Sequence, residues 1–251
     1  MKTPTSTAQV PCIVIQHEGI FVVRDDLHPC GSTKARFMPP LFDGVAEVVY
    51  ACPVQGSAQA VLAATARMLG KKATIFTAAR KKQHQRVLEA RSKGATVHEI
   101  RPGNTRTLTA RARAYARQAG ARLLPLGLNI PGSIDAIVEA ASGIDLSPDE
   151  VWCAGGSGLV AQALAKAWPH AALHVVQVAP IFPKNLVPSA TVHIHPQPLS
   201  ANAQTAPPFP SDPNFDAKAW EVCKREHGQG VVLFWNVAGG PSTEATAKSS
   251  A

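Results

Sequence analysis

Hydrophobic positions along this chain fall into short apolar runs separated by stretches of helical period. Runs at residues 11–15 and 20–23 flank Glu18-Gly19 and predict two paired strands around a tight turn. Residues 45–51 read as a buried strand, and residues 57–69, closed by Gly70, as a helix. The alternation continues with a strand at 73–77, a helix at 83–93 ending before Gly94, and a strand at 96–100. An Arg-rich helix is predicted at 108–118 and a short strand at 121–126. A helix at 133–141, a strand at 150–154, a helix at 159–167 and strands at 173–178 and 231–236 complete the series. Helices recurring between apolar strands predict an α/β fold: mostly parallel, twisted sheets with helices on both faces.

The rhythm fails in two places. Residues 180–213 are rich in proline and polar side chains with little periodicity, which predicts a long loop or lid. Residues 241–251 read as a disordered tail. The 240 or so residues before it are enough for one compact unit with two lobes, the smaller spanning roughly 45–130.

Composition narrows the class. Apolar residues make up 45% and charged residues 17%, and no apolar run approaches a membrane span. Residues 1–9 are polar and lack a secretory pattern, so the expected location is the cytoplasm, with no membrane partner. The five cysteines are scattered, with no CxxC and no Cys/His cluster. That argues against a metal site and a disulfide framework, and for reduced thiols in the core.

Charge changes the picture more. Of the net +8, residues 67–122 carry fifteen Lys or Arg against only Glu89 and Glu99. Such a segment is either a solvated helical face or the footprint of a polyanion binder. The candidates for contact with double-stranded DNA are Arg80, Lys81, Lys82 and Arg86, with Arg106, Arg113 and Arg117. The last three share one face if the predicted helix reaches back to Arg106.

Three local patterns carry candidate chemistry. Lys34 lies in Gly-Ser-Thr-Lys-Ala-Arg (31–36), a turn between apolar segments. Partial desolvation there would lower its pKa and free the amine as a nucleophile, although an ordinary loop lysine has the same local sequence. Gly155, Gly156, Ser157 and Gly158 join a strand to a helix, where unsatisfied N–H groups favour an anion. A plain tight turn is the other reading. Ser57 opens another helix, as an anion contact or as an N-cap.

Taken in order, these patterns and Val-Leu-Phe-Trp-Asn-Val-Ala-Gly-Gly-Pro (232–241) resemble fold-type II pyridoxal-phosphate (PLP) enzymes. The resemblance is to the aminocyclopropane-carboxylate (ACC) deaminase and D-cysteine desulfhydrase branch of the tryptophan synthase β-like superfamily, and it runs from about Arg24 to Pro241. It implies a shortened form of that architecture, with Lys34 as the Schiff-base lysine. It further implies that Ser57, Ala58 and Gln59 hold the substrate carboxylate and a cofactor oxygen, Ser57 with a catalytic role. Gly155–Gly158 would hold the cofactor phosphate, and Asn236 would lie in the cofactor site. Three departures stand out. Thr33 and Ala58 replace asparagines of the pattern, and Asn236-Val237-Ala238 lacks the hydroxyl expected near the pyridine nitrogen. They argue for PLP held differently, or for no cofactor at all.

A second resemblance is carried by Phe215-Asp216-Ala217-Lys218-Ala219-Trp220 and Phe234-Trp235-Asn236. It is to small PLP-lyase-like proteins of bacteriophages, some of them encoded beside enzymes that attach amino acids to 5-hydroxymethyluracil in DNA. With the basic segment, it implies a DNA-modifying enzyme that transfers an amino acid onto a hypermodified thymine, or processes one already attached there. The setting would then be the cytoplasm of an infected cell. The alternative is a PLP-dependent lyase, deaminase or decarboxylase acting on a small amino acid; a third reading is a degenerate fold that only binds. A homodimer is left open.

Overall fold

The computed structural model describes residues 10–179 and 182–241. The expected tail at 242–251 and the polar start at 1–9 lie outside the described residues.

Two sheets carry the fold. The larger has six strands in the order β1-β2-β10-β7-β8-β9: β1 (Val14–His17), β2 (Ile20–Arg24), β7 (Glu150–Gly155), β8 (Ala172–Gln177), β9 (Thr191–Ile194) and β10 (Val232–Asn236). β1 pairs antiparallel with β2 and every other pairing is parallel. The hairpin turn has Glu18 at φ 52° and Gly19 at φ 85°, the double left-handed geometry that matches strand twist. The smaller sheet is wholly parallel, in the order β5-β4-β3-β6: β3 (Glu47–Ala51), β4 (Lys72–Ala78), β5 (Thr96–Ile100) and β6 (Arg122–Leu124).

Helices cover both faces of each sheet because alternate strand residues point opposite ways. In the small sheet, Val48 and Ile75 join the main core with α1 (Ala58–Met68), while Val49 and Phe76 pack on α3 (Thr105–Ala119) through Leu108, Ala112 and Ala116. In the large sheet, Val151, Cys153 and Leu233 join the same main core with α5 (Leu159–Ala167). Trp152 and Phe234 face the other way, onto α6 (Asp216–Glu226). Trp220 of α6 meets Phe209 and Phe234 edge-on at centroid distances of 5.0 and 5.3 Å, geometry worth about 0.5–1.5 kcal/mol per pair. α2 (Gln85–Ser92) packs on α1, and α4 (Ser133–Ser142) on α5.

The stretch at 180–213 departs from expectation. It holds a short turn at Lys184–Leu186 and the edge strand β9, paired in parallel with β8. Four exposed or half-buried residues give no readable alternation, so β9 is defined only by its neighbour. Residues 195–215 form a strap rather than a loose loop. Lys218 is fully buried and its Nζ donates to Pro198 O at 2.7 Å. Glu221 accepts from the Thr205 N–H at 2.5 Å and pairs with His195 at 3.2 Å. Asn214 Nδ2 donates to Ala201 O at 2.9 Å.

Among the described residues no helix is long and apolar enough to cross a membrane, and no cluster of His, Cys, Asp and Glu is placed to hold a metal. All five cysteines are unpaired, four of them buried.

Candidate active site

A cavity of about 360 Å³ opens where the C-terminal ends of β3, β7 and β10 converge. Its size suits a small organic ligand, and strand C-termini are where open parallel sheets bind one.

Lys34 sits in a one-turn helix (Thr33–Arg36) started by Ser32, whose Oγ accepts from the Lys34 N–H. That turn is anchored from below: Trp235 Nε1 donates to Thr33 Oγ1 at 2.8 Å, and the Thr33 N–H donates to Val237 O at 2.9 Å. Thr33 thus fixes the turn on β10. The Lys34 Nζ donates to Ser57 Oγ at 3.2 Å. Ser57 makes no capping bond to α1, so its hydroxyl serves the lysine and the first-turn N–H groups of α1 stay uncapped by any side chain. Gly156, Ser157 and Gly158 also line the cavity and lead into α5, which likewise has no side-chain cap.

Two carboxyls that the sequence did not single out complete the charge pattern. Asp212 and Asp216 both line the cavity. Burial lowers the Lys34 pKa, against the opposing pull of Asp216 and Asp212. Burial, reinforced by Asp212, holds Asp216 well above the usual carboxylate range, while Lys34 and the backbone N–H groups of Val237 and Ala238 oppose the shift. Desolvation disfavours charge on both groups in the ligand-free pocket, and a cation placed beside Asp216 would favour its carboxylate form. Cys52 also lines the wall, and burial pushes its thiol up to about 12, so it is a poor nucleophile. Leu126, Gly127 and Leu128 also line the cavity. Leu128 is held at φ 58°, a strained conformation for a branched side chain and one often found at functional sites.

Several expected site residues lie elsewhere. Gln59 is fully buried and its Nε2 donates to Val54 O and Gly56 O, so it shapes the loop before Ser57 and does not line the cavity, while its buried Oε1 has no hydrogen-bond partner among the described residues. Asn236 donates to Asp26 and Pro210 O and accepts from Ser211 Oγ. It ties three segments together, and its neighbour Val237 meets the cavity instead. Gly155 is a packing glycine: an added Cβ would lie 2.6 Å from Val175 Cγ1. Gly158 has φ +83°, and a Cβ there would meet Pro183 at 3.2 Å. Gly156 has no such constraint, its nearest contact being Phe215 at 3.7 Å. Gly158→Ala is therefore expected to cost about 1–2 kcal/mol in a thermal melt, whereas Gly156→Ala folds like the parent but narrows the anion cradle. Equal melting temperatures for the two variants would contradict this assignment.

Arg86 is a correction of another kind. It is 3% exposed, with NH1 on Glu89 at 2.8 Å and NH2 on Asp212 at 2.5 Å and on Gly239 O at 2.7 Å. A guanidinium so committed does not reach a phosphate. Arg80, Lys81, Lys82, Arg106, Arg113 and Arg117 are exposed, the last three on α3, which does extend back to Thr105. Near them a second hollow lined by Arg80 and Thr105 shares Cys52, Pro53 and Leu126 with the main cavity.

Fold and site together define an α/β pocket lined by a desolvated lysine and a glycine-rich turn at a helix start. The chain belongs to the pyridoxal-phosphate dependent enzyme family, whose model matches residues 2–233. The fold is similar to that of an ACC deaminase homologue (TM-score 0.75, 16% identity, 91% of this chain and 87% of that one). It is also similar to the apo form of Escherichia coli diaminopropionate ammonia lyase (0.67, 14%, 97% and 86%) and to maize serine racemase (0.63, 12%, 95% and 92%). A search of curated proteins finds no match. The residues present fit the cofactor: an amine for its aldehyde, a glycine turn at a helix start for its phosphate, and a buried carboxyl oxygen of Asp216 left without a partner.

Proposed function

We propose that this chain binds PLP through Lys34 and acts on an amino acid by lyase or deaminase chemistry. The observation that carries the reading is that Lys34, its Nζ 3.2 Å from Ser57 Oγ, lines the same cavity as the Gly156–Gly158 turn. When bound, PLP supplies an aldehyde to capture an amine and a ring that withdraws electrons from the attached carbon. The protein supplies the rest. The glycine turn and the start of α5 would hold the phosphate. Ser57 and the uncapped start of α1 line the cavity and would hold a substrate carboxylate. With the cofactor in place, the Lys34 Nζ would be the base that takes a proton from the substrate carbon. The apolar walls, including Phe37, Leu128 and Phe215, exclude water. Mixing the protein with PLP is expected to give a violet-edge absorption band that borohydride abolishes, leaving a cofactor adduct on the Lys34 peptide. A protein that never develops the band, or an adduct confined to other lysines, would refute this reading.

A second reading keeps the same pocket but has the amino acid attached to thymine in double-stranded DNA. What favours it is the exposed basic set Arg80, Lys81, Lys82, Arg106, Arg113 and Arg117, with Arg80 in a hollow continuous with the cavity wall. A flipped or extended nucleotide could present its substituent from that side. Duplex affinity should then fall steeply with salt, by a log–log slope of about −0.9 per phosphate contact. Reversing Arg80, Lys81 and Lys82 should weaken binding alike on unrelated sequences. Absence of duplex binding at low salt leaves the free amino acid as substrate.

A further inference from the structure

Asp216 keeps one carboxyl oxygen that the protein does not use. Its Oδ1 is buried and without a hydrogen-bond partner among the described residues, and the side chain lines the cavity together with Lys34 and the glycine cradle. Its position is firmly set. Asp216 begins α6, the Ala217 N–H donates to Asp212 O, and the backbone N–H groups of Val237 and Ala238 face the carboxyl. A buried acceptor left idle is costly, so whatever fills the cavity is under pressure to bring a donor.

The inference rests on the PLP reading above. Of the cofactor's polar groups, the aldehyde goes to the Lys34 amine and the phosphate to Gly156–Gly158. The ring hydroxyl lies next to the aldehyde and is drawn to the nitrogen of that linkage. The ring nitrogen, across the ring from the aldehyde carbon, is the group left over, and once protonated it is a donor. The end of β10 offers it nothing: Val237 is apolar, Asn236 is fully engaged, and the Thr33 hydroxyl is occupied by Trp235. We propose that Asp216 receives the pyridine nitrogen of PLP as a carboxylate–pyridinium pair, doing from the start of α6 what no side chain at the end of β10 can do. A ring held protonated withdraws electrons more strongly than a neutral one, which suits reactions that leave negative charge on the substrate carbon. Asp212, held by Arg86, stays on the cavity wall as the second carboxyl and favours the added positive charge.

The test compares PLP with its 1-deaza analogue, in which C–H replaces the ring nitrogen. Both retain the aldehyde and phosphate, so both report through the lysine-linkage absorbance. The parent is expected to bind PLP about 10–100-fold more tightly than the analogue, as a lost charge-assisted hydrogen bond predicts. Asp216→Asn, nearly identical in shape, should bring the two within about 3-fold. ¹⁵N-labelled PLP bound to the parent gives a readout that needs no variant: a ring nitrogen protonated above the pH at which free PLP loses that proton. Equal affinities in the parent, a preference that survives in Asp216→Asn, or an unprotonated bound ring would each overturn the pairing while leaving PLP binding intact. Failure of the parent to bind either compound would instead overturn the cofactor reading, and the pairing with it.

Discussion

Arg86→Ala is expected to lower the melting temperature by about 6–20 °C. The guanidinium of Arg86 is buried between Glu89 on its own helix and Asp212 and Gly239 O from the far end of the chain. Removing one partner of a buried ion pair costs about 3–5 kcal/mol, because the remaining charges are left without compensation. In a domain of this size each kcal/mol moves the melting temperature by about 2–4 °C. The loss should also reach the active site, since Asp212 lines the cavity and would no longer be neutralised from behind. Arg86→Lys should recover only part of the stability: one ammonium cannot reproduce the planar fork that serves three acceptors. Thermal melts of both variants by circular dichroism, with PLP titrations alongside, make the check. A shift below about 2 °C for the alanine variant would mean that the clasp contributes little.

Lys34→Ala is expected to reduce turnover by about three orders of magnitude or more, through loss of both covalent capture and the base. Stability should change by no more than about 1 kcal/mol. The side chain makes one hydrogen bond, to Ser57, and burial already disfavours its charge. The lowered pKa has a sign that can be checked. In the parent the amine is free at a lower pH than in an exposed lysine, so PLP capture should persist where ordinary lysines have stopped reacting. Full activity in Lys34→Ala would remove the lysine from the chemistry altogether.

Most elements were legible because each is signalled locally. The strand at Thr96–Ile100 and the helix at Leu159–Ala167 have the predicted bounds, and Gly120, the left-handed cap of α3, ends it where the apolar period stops. Lys34, Ser57 and the Gly156–Gly158 turn were legible for the same reason, each standing at the start of a helical segment. Their meeting in one cavity follows from the parallel topology. Asp212 and Asp216 were not legible: they reach the site through contacts with Arg86, Val237 and Ala238 that no spacing encodes. Arg86 was misread because a helical arginine in a basic run looks solvated, and its partner lies 126 residues away. Asn236 and Gln59 carried the right chemistry at nearly the right place, but the Asn236 amide is consumed by Asp26, Pro210 O and Ser211, and the Gln59 Nε2 is held by backbone carbonyls outside the cavity.

The strap at 195–215 bears on how fast ligands come and go. Leu199, on the strap, forms part of the cavity wall, yet the segment is stapled to α6 by Lys218 and Glu221 and to β10 by Asn236. A cover that is already ordered pays no conformational entropy each time a substrate arrives. Ligand exchange then need not order or loosen the strap, and rigidifying substitutions confined to it should leave product departure unchanged.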